Sequence, residues 1–153
     1  MNTDVIYYKL EILKRYVDRI NEKTPPKSDA LAENVDVQDI ILMNLQRAVK
    51  ICVDISAYIL ANANIPPPMS MTDAFYQLYM LEIIAKETSE KMIQWVGFRN
   101  IAIHEYDEIN WEIVFSILCN HVNAFKAFAK EVFQWIETKP DEEKLVYRWH
   151  GFL

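Results

Sequence analysis

Apolar side chains return at steps of three and four along most of this chain. Ile6, Leu10, Leu13, Val17 and Ile20 are spaced four, three, four and three apart, and the rhythm comes back in Ile41, Leu45, Ala48, Cys52, Ile55 and Ile59. It returns again in Val114, Leu118, Val122, Phe125, Ala129, Val132 and Ile136. An α-helix turns once in about 3.6 residues, so each series draws one apolar stripe down a helix. Stripes of this kind have to be covered, and helices in one short chain cover them by packing on each other. Only 2 of the 153 residues are glycine, which suits helices and falls short of what the tight turns of a sheet-rich fold require. The expected fold is therefore all-α, an antiparallel up-and-down helical bundle of four main helices plus a shorter one, built as a single domain with its own core.

Boundary signals divide the pattern. The first helix is expected from about Asp4 to Asn21, with Thr3 as N-cap, and it stops before Thr24-Pro25-Pro26. Ser28 to Asp36 reads as a loop or a loose helical turn. A long central helix then runs from Asp36 to the Asn62–Asn64 stretch and the triple Pro66-Pro67-Pro68. Ser70 and Asp73 have the spacing of a capping box, opening a shorter helix with Phe75, Leu78, Tyr79, Ile83 and Ile84. A re-cap around Thr88-Ser89 starts a helix whose apolar side is Met92, Trp95, Val96 and Ile103, and Asn110 caps a last long helix. Lys139-Pro140 ends it. The helical domain is thus expected over residues 1–138, followed by a tail at 139–153 whose Tyr147, Trp149 and Phe152 suit docking on the bundle or on a neighbouring chain.

Charge and composition exclude several classes. A formal net charge of −6 and a pI near 5.1 argue against a protein that coats nucleic acid nonspecifically, since such binding runs on many Lys and Arg contacts to phosphates. An enzyme acting on RNA would have to gather positive potential locally. No apolar run is long enough to cross a membrane, and no signal-peptide layout precedes the first helix, so the expected location is cytoplasmic. Cys52 and Cys119 fall inside helical runs, where reduced, buried thiols are expected. There is no Gly-rich phosphate loop, no HExxH and no CxxC, and Cys119-Asn120-His121 offers too few ligands for zinc, so neither a metal nor a cofactor is expected. His121, at the edge of its stripe, reads as a core or boundary histidine.

The chemistry is concentrated in Gly97-Phe98-Arg99-Asn100-Ile101-Ala102-Ile103-His104-Glu105-Tyr106. Arginine is a permanent cation whose fork matches phosphate oxygens, histidine moves protons near neutral pH, and tyrosine offers a hydroxyl. Together they suit a phosphodiester. On an unbroken helix Tyr106 would lie about 20° from Arg99 but His104 about 140° away. Either the helix ends or unwinds near Ile103 to swing His104 round, or a second copy of the chain completes the cleft. The plainer reading is a surface arginine with a histidine at a helix C-terminus, where a cation is favourable. Arg47 and Lys50, on the polar side of the central helix, are further candidates for phosphate contact, with solubilising residues as the plain alternative. Gly97 sits in a helix at a cost of about 1 kcal/mol relative to alanine, which suits a close helix crossing or a dimer seam.

Arg99, four residues, then His104-Glu105-Tyr106 resembles the RX4HXY signature of the HEPN superfamily, specifically the HepT-like toxins of HepT/MntA modules. Asn44-Leu45-Gln46-Arg47-Ala48, Ile51 to Ile55, Phe75 with Leu78, and Val96-Gly97-Phe98-Arg99-Asn100 resemble the same family in the same order, over roughly residues 5 to 136. The resemblance implies a metal-independent endoribonuclease, the toxin of a toxin–antitoxin pair, acting on RNA as a homodimer. It implies that Arg99, His104 and Asn100 are catalytic, Asn100 matching the polar residue often found after the family's arginine and orienting substrate or His104, and that Tyr106 is where a cognate MNT-type nucleotidyltransferase attaches AMP. The alternative is a noncatalytic helical interaction module that binds such a nucleotidyltransferase through Arg99 and Tyr106.

Overall fold

The stripes lie where their spacing puts them. The computed structural model describes residues 1–139, which form seven α-helices and one 3-10 turn. In order these are α1 (Thr3–Lys23), α2 (Ser28–Ala32), α3 (Val35–Asn62), α4 (Met71–Met80), α5 (Lys86–His104), the 3-10 turn Tyr106–Glu108, α6 (Trp111–His121) and α7 (Asn123–Glu137). No strand occurs among the described residues, and the fold is an all-α bundle. Every residue of the α1 and α3 stripes is buried, and α1 packs along α3. Burying each large side chain of that kind contributes about 1.5–3 kcal/mol. α7 closes the bundle against α1 and α5, while α4 rests on α3 and α5. The expectation for the 139–153 tail falls, beyond Lys139, outside the described residues.

Several boundaries differ from the sequence reading, each for a local reason. α1 is capped by Asn2, whose side chain accepts from the Asp4 amide at 3.0 Å, and Thr3 is already inside the first turn and buried. Ser28–Ala32 is a true short helix, and Asn34 then caps α3. The capping box at α4 forms: Ser70 accepts from the Asp73 amide at 3.0 Å, and the Asp73 carboxylate accepts from the Met69 amide at 3.0 Å. That helix ends at Met80, so Ile83 and Ile84 are buried beyond it. Glu82 takes a left-handed φ of 60°, and the Glu82 and Ile83 amides turn back to Tyr79 and Leu78 at 2.9 and 3.0 Å. This is a Schellman ending without glycine. Asn64, φ 58°, ends α3 in the same way.

The expected last helix is two. α6 stops at His121 and α7 begins at Asn123, although Val122 keeps helical dihedrals of −62° and −26°. The His121 carbonyl is occupied by the Trp95 indole, which donates to it at 3.0 Å. His121 itself is exposed, not a core residue, and Cys119 is exposed where a buried thiol was expected; Cys52 is buried.

These contacts position α5. It starts at Lys86, ahead of the expected Thr88-Ser89 re-cap, with no cap from its own side chains. Glu131 of α7 supplies one instead, accepting from the Ala85 amide and the Thr88 hydroxyl, each at 2.6 Å. A carboxylate there also opposes the positive end of the helix dipole. Midway, Trp95 lies 5.1 Å from the Phe125 ring of α7, centroid to centroid. The N-terminal half is therefore fixed to the bundle. Toward the C-terminal end Ile103, expected on the apolar side, is 43% exposed, and Ile101 is 51% exposed.

Candidate active site

Arg99 stands on the buried side of α5. Around the helix axis Met92 and Val96 lie about 20° and 60° to one side of it, Trp95 and Ala102 about 40° and 60° to the other. All four are buried. An arginine set among such neighbours keeps its stem in the apolar stripe and carries its head toward the edge. Its Nε is closed off from solvent with no hydrogen-bond partner. Arg99 lines a groove of about 430 Å³ with Tyr16 of α1 and Met43, Gln46, Arg47, Lys50, Ile51 and Asp54 of α3. Arg47 and Lys50, some fifty residues away in sequence, are thus brought beside the motif arginine.

The groove holds three cations against one carboxylate, a local reversal of the chain's overall charge. Lys50 is partly committed, since its Nζ meets Asp54 at 2.8 Å. Arg47 and Arg99 form no ion pair with any described residue. Two uncommitted guanidinium groups beside one depression make a site for an anion with several oxygens.

The opposite side of α5 is built differently. Gly97, Asn100, Ile101 and His104 follow at i, i+3, i+4 and i+7, so they share one face, and all four are exposed. A Cβ added to Gly97 would meet nothing within 4 Å among the described residues, so no close helix crossing among them explains this glycine. The helix also does not unwind near Ile103. It runs through His104, and the Glu105 amide closes its last turn on the Ile101 carbonyl at 2.8 Å. His104 therefore stays about 140° round from Arg99, and it does not line the Arg99 groove. Asn100 lies one turn before His104 on the same side.

The chain leaves the helix at Glu105, with dihedrals of −129° and 37°, and Tyr106 opens the 3-10 turn. Its hydroxyl donates to the Asp39 carboxylate near the start of α3, a contact across 67 residues. That hydrogen bond, with smaller contributions from desolvation and from the charges of Asp39 and Asp107, raises the phenol above the usual tyrosine range. Tyr106 does not lie in line with Arg99, as an unbroken helix would have placed it. Asp39 escaped the sequence reading because a single acid on a polar helix side carries no local signal. Tyr16 escaped it for the same reason. Among the described residues no group of three or more His, Cys, Asp or Glu side chains is placed to hold a metal ion, and no helix is long and apolar enough to cross a membrane.

Comparison with known proteins bears on this arrangement. The family model described as ribonuclease HepT-like matches residues 13–132, which include the groove and the whole motif. The mRNA nuclease HepT of Shewanella oneidensis is 32% identical over 125 residues, 82% of this chain and 93% of that protein. The tRNA nuclease HepT of Aphanizomenon flos-aquae is 23% identical over 138 residues, 90% of this chain and 94% of that one. Among solved structures, the tri-AMPylated Shewanella oneidensis HEPN toxin in complex with MNT antitoxin superposes with a TM-score of 0.79 at 30% identity, covering 91% of this chain and all of that one. A family match over most of the chain, a relative 32% identical over most of its length and a bundle of the same shape agree, and the chain belongs to the HepT-like ribonucleases of the HEPN superfamily.

Proposed function

We propose that this chain is the ribonuclease toxin of a toxin–antitoxin pair: a metal-independent endoribonuclease that acts in the cytoplasm as a homodimer. An MNT-type nucleotidyltransferase silences it by attaching AMP to Tyr106. The observation that carries the reading is the Arg47–Arg99 groove, where two guanidinium groups stand without carboxylate partners among the described residues of an otherwise acidic protein. An RNA phosphate supplies the missing anion.

One chain holds half of the machinery. Arg99 faces its own groove while His104 points elsewhere, so a second chain has to bring its motif opposite the first. The open face of α5 suits this seam. Gly97 admits a close helix approach, and Ile101 gains burial there. With two motifs across one cleft, the ribose 2′-hydroxyl attacks the adjacent phosphorus and the bond to the 5′-oxygen of the next nucleotide breaks, leaving a cyclic phosphate. One His104 takes the 2′-hydroxyl proton and its symmetry mate gives one to the departing oxygen. Arg99 stabilises the negative charge that builds on the phosphoryl oxygens. Arg47 and Lys50 hold the flanking backbone, and Asn100, one turn from His104, orients that histidine or the substrate.

AMP on Tyr106 adds about one negative charge and a bulky group at the end of the motif, repelling RNA. The direct test is RNA cleavage in EDTA by the wild type and by His104→Ala. Cleavage by the wild type alone supports the enzyme. Cleavage by both indicates a contaminant, and cleavage by neither, with Tyr106 shown unmodified by intact mass, favours the noncatalytic module.

A further inference from the structure

In the unmodified chain the Tyr106 hydroxyl is already engaged, by the Asp39 carboxylate of α3. Both residues are exposed, so an approaching enzyme can reach them together. The bond spans the gap between the 3-10 turn and α3, and Asp39 makes no ion pair with any described residue. No described cation competes with the phenol for its carboxylate. Tyr106, by contrast, holds its proton more tightly than an ordinary tyrosine, chiefly because of this hydrogen bond. A phenol in that condition is a poor nucleophile until a base removes the proton as it attacks.

We propose that Asp39 is the base for modification of Tyr106, a residue through which the toxin contributes to its own silencing. The inference rests on the reading of Tyr106 as the AMP acceptor and adds the group that makes it react. The co-reactant is a nucleoside triphosphate held by the partner nucleotidyltransferase. Tyr106 Oη attacks the α-phosphorus, and the Oη–P bond forms as the bond from that phosphorus to the oxygen bridging to the β-phosphate breaks. Pyrophosphate leaves with that electron pair. The phenolic proton passes to the Asp39 carboxylate along the existing hydrogen bond and from there to water. Asp39 also fixes the direction of Oη, so the attacking lone pair faces away from α3 toward solvent, from which the nucleotide arrives.

The test compares wild type, Asp39→Asn, Asp39→Glu and Tyr106→Phe, each incubated with the cognate nucleotidyltransferase and MgATP. AMP addition is followed by intact mass, and melting temperatures check folding. Asparagine still accepts a hydrogen bond from Tyr106 but takes up no proton, so it separates proton transfer from simple anchoring of the turn. The expected result is modification of the wild type, none of Tyr106→Phe, and a maximal rate about 100-fold or more lower for Asp39→Asn with KM for the toxin unchanged. Asp39→Glu should recover most of the rate. Modification of Asp39→Asn at the wild-type rate overturns the inference and leaves the Tyr106 reading standing, as does a change confined to KM. A wild type that takes up no AMP removes the Tyr106 reading and the inference with it.

Discussion

The inward side of α5, with Met92, Trp95, Val96 and Ala102 around Arg99, is covered by the chain's own α3, α4 and α7, whereas the outward side, with Gly97, Asn100, Ile101 and His104, is left open. The two sides belong to one helix and carry the two halves of one motif. Packing decides the difference. The arginine is part of the fold, its stem set in a buried stripe, and the histidine is displayed on a surface that the described residues do not cover. Substitutions on the two sides should therefore separate activity from stability.

The largest effect is expected outside. His104→Ala removes the group proposed to move the proton and should lower RNA cleavage by about 10²–10⁴-fold, while the melting temperature stays near that of the wild type because the side chain is exposed. Single-turnover cleavage and thermal melting check this. A matching loss of stability would erase the contrast between the two sides. Arg99→Ala should cost about 10²–10³-fold in cleavage and also shift the melting point, since the stem leaves a gap beside Met92 and Trp95. Arg99→Lys keeps the charge and loses the fork, and should recover only part of the rate.

Gly97 sharpens the comparison further. Nothing among the described residues opposes a side chain there, so Gly97→Leu should leave the protomer folded while shifting sedimentation from dimer to monomer and abolishing cleavage. An intact, active dimer would remove the open face from the account. Smaller still is Glu131→Gln, which weakens the cap on the start of α5 and should cost about 1 kcal/mol in chemical denaturation without changing the cleavage rate of the folded protein. The smallest effect is spectroscopic. Ionising Tyr106 gives up its hydrogen bond to Asp39, so its phenolate signal, taken as wild type minus Tyr106→Phe, should appear at higher pH than an ordinary tyrosine. Asp39→Ala should bring it back down.

Much of the fold was legible because periodicity and burial report the same physics. The α1 and α3 stripes were written in steps of three and four, and each of their residues is buried. Element ends were less legible because they depend on partners far away in sequence. Glu131 caps α5 from α7, the Trp95 indole takes up the His121 carbonyl where α6 ends, and Glu82 adopts a left-handed conformation that glycine usually fills. At the site, the motif itself could be read from spacing and resemblance. The joining of Arg47 to Arg99 and of Asp39 to Tyr106 could not, since each depends on how α3 crosses α5 and on no local pattern. The angular separation of Arg99 and His104 was visible from helix geometry alone, and the helix that continues through His104 keeps it; the proposed second chain is what would bring the two together.

That resolution is the centre of the account, and a mixed dimer tests it most directly. Differently tagged wild-type and His104→Ala chains, co-expressed and purified through both tags, give a dimer with a single His104. A cleft shared by both motifs predicts cleavage far below half that of the wild-type dimer, because either the base or the acid is missing. Cleavage at half the wild-type rate or more would mean that each chain works alone, and would contradict the shared site.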